Sequence, residues 1–263
     1  MDFLKRQLAP LTEEAWHSID ERAEDVLKSL LTARKVVRVD GPKGLNHTVV
    51  PEGRLTVLEE DSEKVCSGLF KVKPLVETRT SFTLDRWELD NTSRGARDVD
   101  LEPLEEAARK AALFEENAIF NGFKKGDIEG LDSAAAKNAE FGKDSSKIME
   151  SISTAVLSLK ESYATKPLTL VAGEKAWQLV NKETGAYPLS KRIEDLIGGE
   201  ILYSPVVKGA FLLPYDHEDL EMTLGIDFAI GYQAHDSQSV RLFIVESFTF
   251  RVIDPALIVK LKV

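Results

Sequence analysis

A single cysteine in 263 residues, Cys66, excludes an internal disulfide and any zinc site built from several thiolates, and it fits a reducing compartment. No uninterrupted apolar run approaches the length of a membrane span, so no transmembrane helix is expected. The N-terminus, MDFLKRQLAP, carries charge with no apolar stretch behind it and does not read as a signal peptide. Histidine is scarce and scattered, at His17, His47, His217 and His235. The nearest thing to a metal cluster, Asp216-His217-Glu218-Asp219, falls in a turn whose successive side chains diverge, so a solvated loop is expected. There is no GxSxG elbow, P-loop, GxGxxG or HExxH. Among 44 acidic residues, pairs arise by number alone, and spacing singles out no acid–base dyad. Catalytic residues and metal ligands are therefore not expected. Positive charge is also short: 34 Lys and Arg give a net −10, which argues against a nucleic-acid partner.

What is present is strongly patterned. In LEPLEEAARKAALFEENAIFNG, from Leu101 to Gly122, residues Leu104, Ala107, Ala111, Phe114 and Ala118 recur at steps of three and four, which predicts one face of a long helix. Glu105, Glu106, Arg109, Lys110, Glu115 and Glu116 are expected mostly on its other faces. Asp100 is placed to cap the start, Pro103 suits the first turn, and Gly122 closes the helix. The apolar face is mostly alanine, so a neighbour can approach closely and the helix reads as a spine. Thr12 predicts the start of an earlier helix reaching about Leu31, with Trp16, Ile19, Ala23, Val26, Leu27 and Leu30 as its apolar stripe. Such a stripe serves either as ordinary core or as one wall of a groove for another chain. Val36, Val37 and Val39 suggest a short strand ended by Asp40-Gly41-Pro42.

From Thr48 to Arg86 the helical period vanishes. Arg54 to Glu59 reads as a strand, Glu60 to Lys64 as a turn, and Val65 to Leu84 as one long return. A lone two-stranded arm is marginal in water, so this hairpin is expected to lie against a neighbouring subunit; folding back on its own domain is the alternative. Asn121 to Asp144 reads as irregular connection with at most a short helix. Ser145 to Tyr163 is an amphipathic helix. Leu168 to Ala172 and Ile201 to Ser204 read as strands around helices at Glu174 to Val180 and Ser190 to Ile197, with short strands at Phe211 to Pro214 and Glu221 to Leu224. Gly198-Gly199 reads as a helix cap. In the last strand Val240, Leu242, Ile244, Phe248, Phe250 and Val252 share one side, and Glu246 on that side needs a partner.

Several segments resemble the encapsulin shell proteins of bacteria and archaea: MDFLKRQLAPLTEEAW, FTLDRWELDN (Phe82 to Asn91), Arg94-Gly95 before the spine, and EENAIFNG (Glu115 to Gly122). IEGL (Ile128 to Leu131), LGIDFAIGY (Leu224 to Tyr232) and VRLFIVESFTFRV (Val240 to Val252) follow in the same order, so the resemblance spans the chain. It implies an α+β chain with the Hong Kong 97-type phage major capsid fold. The implied parts are an N-terminal helix and arm (1–47), an extended loop (48–86) and a peripheral domain with the spine (87–144). An axial domain (145–223) and peripheral-domain strands (224–263) complete it. Many copies would close into an icosahedral nanocompartment of the smallest class, in the cytoplasm, with no membrane partner and no enzymatic activity.

The resemblance further implies a cargo protein, such as a peroxidase, a ferritin-like protein or another iron or redox protein, held by its C-terminal peptide. It places the dock at Leu27, Leu30, Leu31, Arg34, Val36 and Arg38 together with Asp227, Phe228 and Ile230. Arg38 departs from an acid found in a relative. Gly185, Ala186 and Tyr187 of KETGAYP are implied to line a five-fold pore. Trp87, with Arg79, matches a position where some relatives stack a flavin; no cofactor is required, and a strand-closing tryptophan is the plainer reading. Two alternatives stand beside this one. A phage major capsid protein would share the fold but package DNA, against the acidic balance; a hydrolase lacks any nucleophile constellation.

Overall fold

The structure, a computed structural model, describes residues 3–59, 65–165, 167–182 and 187–263. The side chain of Thr12 starts the first helix by accepting a hydrogen bond from the Ala15 N–H, with Glu13 and Glu14 at the positive end of the dipole. This helix, α1 (Glu13–Leu30), buries Ala15, Ile19, Ala23 and Leu27, one residue per turn. A 3₁₀ turn at Ala33–Lys35 leads into β1 (Arg38–Asp40), followed by β2 (Val49–Glu59), β3 (Ser67–Pro74) and β4 (Val76–Asp85). Then come α2 (Arg86–Ser93), the spine α3 (Glu102–Asn121), α4 (Leu131–Ala134), β5 (Lys137–Glu140) and α5 (Ser145–Glu161). The remainder is β6 (Leu168–Ala172), α6 (Glu174–Asn181), α7 (Leu189–Ile197), β7 (Ile201–Tyr203), β8 (Ala210–Pro214), β9 (Leu220–His235), β10 (Ser239–Val252) and β11 (Val259–Lys262).

These strands make a four-stranded sheet in the order β1-β9-β10-β4, a five-stranded sheet in the order β5-β11-β8-β6-β7, and the isolated pair β2-β3. Helices α1 and α3 cover one face of the four-stranded sheet, where Ile19, Leu104, Ala108, Leu242 and Ile244 are buried together. The alanines of α3 leave room for α1 to lie close, as the composition of that face predicts. Helices α5, α6 and α7 cover the five-stranded sheet over Ile152, Leu170, Ile193 and Leu212. A third cluster joins the two sheets through Phe120, Phe211, Phe248 and Phe250. Burial of each such side chain contributes about 1.5–3 kcal/mol.

Several expectations are corrected. Leu101, not Asp100, occupies the position before α3, and Asp100 Oδ1 instead accepts from the Glu102 N–H at 3.0 Å. Glu115 and Glu116 are not on a solvated face: both are fully buried, because α3 is packed on two sides near its C-terminus. Gly122, at φ +87°, ends the helix where its backbone meets that of Gly130, an approach a side chain would obstruct.

The single long return from Val65 to Leu84 is two strands. The hairpin closes at its base, where the Leu75 N–H donates to Thr48 O, and Val76–Asp85 then crosses into the four-stranded sheet beside β10. The predicted Glu221–Leu224 strand is the first third of β9, extended by antiparallel pairing with β10 through residues whose local pattern is mixed. The stretch read as irregular connection contains β5, and the five-stranded sheet draws β5 and β11 from outside 145–223, with Val259 opposite both Lys137 and Leu212. Residues from Leu242 to Phe250 are buried on both faces of β10, not one. Phe3 packs edge-on against Phe243, and Ser247 Oγ accepts from the Ile226 N–H across a bulge.

A groove between the first helix and the long strand

Where α1 passes over the edge of β9 it leaves a groove of about 500 Å³. Its floor is apolar: Ala23, Leu27 and Leu31 from the helix, Ile230 and Ile244 from the sheet. Both ends are closed by ion pairs. At one end Arg6 forks onto Asp20 with contacts of 2.6 and 3.1 Å while its guanidinium lies 3.9 Å above the Trp16 ring. At the other, Arg34 Nη1 donates to Asp227 Oδ1 at 2.7 Å, and the guanidinium stands 5.0 Å from the Phe228 ring. Glu24 and Lys28, paired one turn apart on α1, form the outer lip.

Behind Arg34 the charge is unbalanced. Its Nη2 donates to Glu115 Oε2 and Glu246 Oε1, both at 2.6 Å, and its Nε to Glu115 at 2.9 Å, so three carboxylates share one guanidinium. Burial works against the charged arginine, but the hydrogen bonds and charge of Glu115, then Glu246 and Asp227, outweigh it and raise the guanidinium further. Glu246 is fully buried and its Oε2 has no partner. Burial, followed by the charge and hydrogen bond of Glu115, pushes its carboxyl well above the ordinary range against the pull of Arg34. The expectation that Glu246 is a partnered structural carboxylate therefore holds for one of its two oxygens.

On the next residue of the spine, Glu116 accepts from the Ala33 N–H at 2.6 Å and from the Ser204 hydroxyl at 2.8 Å. It ties the 3₁₀ turn after α1 to the far sheet. Burial pushes the Glu116 carboxyl up to about 7, with the two donors pulling the other way. A raised carboxyl binds a proton more tightly folded than unfolded. Its stabilising contribution is complete below its ordinary value of 4.5 and is lost as pH rises through about 7. Glu116→Gln keeps an acceptor for Ala33 and removes the titration. The variant should therefore gain on the parent between pH 5 and 8, by up to about 3 kcal/mol. Denaturation midpoints of intact particles across that range check it; a constant difference would rule out the titration.

Of the residues expected at a dock, Leu27, Leu31, Arg34, Asp227, Phe228 and Ile230 line this groove together. Leu30, Val36 and Arg38 do not line it. Leu30 lies off the groove against the core, and Val36 is buried in the cluster joining the sheets. Arg38, on the edge strand β1, turns to the side chain and carbonyl of Asp216 at 3.2 and 3.1 Å. Sequence reading missed Arg6, Asp20, Ala23 and Ile244. Ala23 was legible, one turn before Leu27; Arg6 was not, because its role depends on the N-terminal segment folding back, with Leu4 O accepting from the Tyr232 N–H.

Tyr187 is largely exposed and its hydroxyl bonds to Asp195, whereas Gly185 and Ala186 lie outside the described residues. Trp87 on α2 is 71% exposed beside Glu88, Asn91 and Arg94. Arg79 is not its neighbour within one subunit: it lies on β4 over Phe243, 4.5 Å from the ring centre, some six strand residues or roughly 20 Å from the start of α2. Among the described residues no cluster of three or more His, Cys, Asp and Glu could hold a metal ion, and no helix is long and apolar enough to cross a membrane.

Residues 1–249 match the family described as "Encapsulating protein for peroxidase". The whole chain is 37% identical to a "Type 1 encapsulin shell protein" of Rhodospirillum rubrum, over 97% of that protein. Among solved structures, the chain superposes on a virus-like particle protein of Pyrococcus furiosus with a TM-score of 0.68 at 14% identity, covering 94% of this chain and 99% of that one. The capsid protein of the myovirus phage XM1 gives 0.52 at 10% identity, covering 88% and 91%. At those identities the likeness is one of fold: the arrangement of spine, two sheets and projecting hairpin is that of a Hong Kong 97-type capsid protein.

Proposed function

The chain belongs to the encapsulin shell-protein family, whose members are structural and not enzymes, and from that premise we propose that its copies enclose a cargo protein held by a C-terminal peptide in the groove between α1 and β9. Self-assembly into a multi-copy, capsid-like shell comes with the family and the fold. The closed icosahedral form follows from contacts whose rotations complete a point group rather than a filament. The observation that carries the cargo reading is the groove itself: an apolar floor closed at both ends by ion pairs, which suits a short peptide with aliphatic anchors and charged flanks. A redox or iron-handling cargo remains the family-based expectation, and Tyr187 is our candidate for a pore wall.

The test uses Ile230→Ala, which trims the groove floor without burying a charge. Parent and variant should both form uniform hollow particles by electron microscopy, since Ile230 lies on the groove floor and not on the arm. A fluorescent protein carrying the C-terminal tail of a cargo encoded beside this chain should co-purify with parent shells and fall at least tenfold with the variant. Equal loading of both shells would remove the groove as the dock.

A further inference from the structure

The 3₁₀ turn at Ala33–Lys35 is the only link between α1 and β1, and it has few hydrogen bonds of its own. The Lys35 N–H donates to Thr32 O, and the Val36 and Val37 N–H groups both donate to Ala33 O. What fastens it to the body comes from far along the chain. The Thr32 hydroxyl donates to Tyr203 O at 2.9 Å. Two consecutive residues of the spine then grip the turn, and neighbouring positions on a helix point roughly 100° apart, so they reach it from different sides. Glu116 accepts from the Ala33 N–H at 2.6 Å and holds the Ser204 hydroxyl with its other oxygen. Glu115 takes the Arg34 guanidinium at 2.6 Å, and the same Nη2 donates to Glu246 on β10 at 2.6 Å.

Three fully buried carboxyls therefore meet behind one turn with one cation among them. The groups that face them can be named element by element. The turn supplies Arg34, α3 supplies Glu115 and Glu116, β9 supplies Asp227 and β10 supplies Glu246; the segment after β7 adds the neutral Ser204 hydroxyl. Glu116 has neutral donors and no counter-ion of its own. Glu246 shares its arginine with Glu115 and leaves Oε2 without a partner. A carboxyl in that position keeps its proton, because the charged form is neither hydrated nor neutralised. Burial accordingly holds Glu246 well above the ordinary range and Glu116 at about 7. If the turn lifts, water reaches the acids and they titrate as ordinary carboxyls. The closed turn thus binds protons more tightly than the open one, so closure weakens as pH rises from about 4.5 through about 7.

We propose that the turn Ala33–Lys35 is a proton-sensitive clasp on the end of α1, shut while Glu116 and Glu246 carry protons and released as they ionise. The opening is local. Ile19, Ala23 and Leu27 keep the rest of α1 on the core, and Val36 and Val37 stay anchored in the cluster between the sheets. Arg34 rides on the turn and closes one end of the groove through Asp227, so release of the clasp loosens that end. The clasp belongs to the subunit and holds whether or not the groove takes cargo.

The experiment follows amide exchange in intact, empty shells by mass spectrometry, corrected for the intrinsic pH dependence of exchange. Between pH 5 and 8 the opening equilibrium of residues 31–37 should rise at least tenfold, while the middle of α1 around Ile19 changes less than twofold. Glu116→Gln keeps an acceptor for the Ala33 N–H and should cut that rise at least threefold; adding Glu246→Gln should abolish it. Equal protection of the turn at both pH values overturns the clasp, and so does a rise shared by the whole of α1. A rise that Glu116→Gln leaves unchanged also overturns it, and this single variant decides the matter if the double variant does not assemble.

Discussion

With Leu55→Lys and Phe70→Asp introduced together, the chain should elute as a small, discrete species instead of at the column void. These two side chains face each other across β2 and β3, so they share one face of the hairpin. They are 52% and 76% exposed within a single subunit. Leu69 and Val72 are also largely exposed along the same ribbon, an apolar surface that a stable monomer would not leave in water. A two-stranded ribbon without a third layer is marginal on its own, so its expected support is another copy of the chain. The Lys–Asp pairing keeps an attractive cross-strand contact and removes only the apolar area, so the hairpin itself is not the casualty. Because neither residue belongs to any of the three buried clusters, far-ultraviolet circular dichroism should be unchanged and subunit stability should stay within about 0.5 kcal/mol. Normal particles from this double variant would show that the ribbon's apolar face is not what joins subunits.

Arg34→Met is the second large effect, and it acts inside the subunit. The arginine is the counter-charge for Glu115 and Glu246, both fully buried, and for Asp227 at the groove. Its removal leaves two buried carboxyls facing each other with no cation, a loss on the order of 3–5 kcal/mol. Lysine should not rescue it, since a single ammonium cannot reproduce the planar fork that reaches Glu115, Glu246 and Asp227 at once. Adding Glu115→Gln and Glu246→Gln to Arg34→Met should restore most of the stability, because the destabilising agent is the stranded charge and not the lost contact.

The pH dependence has a definite sign. Glu246 is already raised by burial and by Glu115, with Arg34 pulling it down, so without Arg34 it rises further. A raised carboxyl favours the folded state at low pH and loses that contribution as pH increases. The deficit of Arg34→Met should therefore be smaller at pH 5 than at pH 8. Urea denaturation of parent, single and triple variants at both values checks it, and a deficit that grows on acidification would reject the scheme.

The two variants also separate what was legible in the amino-acid order from what was not. The hairpin was legible from the loss of helical period over two strand-like runs, although the turn expected at Glu60–Lys64 lies outside the described residues, and the partner outside the chain that its thin apolar surface implies is what the double variant tests. The helix α3 was legible too, from the spacing of Leu104, Ala107, Ala111 and Ala118. The burial of Glu115 and Glu116 was not, since adjacent acids on an amphipathic helix ordinarily face water. Half of the groove could be named on α1 and LGIDFAIGY through the family resemblance, but Val36 and Arg38, placed there by the same resemblance, turn their side chains elsewhere.

Local order along the chain determined where helices start, which stripe each buries, where turns fall, and that one long arm lacks a core. Those properties depend on side chains three or four residues apart and on backbone preferences that neighbours alone can set. Tertiary structure decided the length of β9, the recruitment of β5 and β11 into the second sheet, the closure of the groove by Arg6, and the placing of three acids on one arginine. Each of these needs a hydrogen-bond or charge partner brought from far along the chain, as Glu115 and Glu246 are to Arg34 across 81 and 212 positions, and no short-range pattern encodes which distant group arrives.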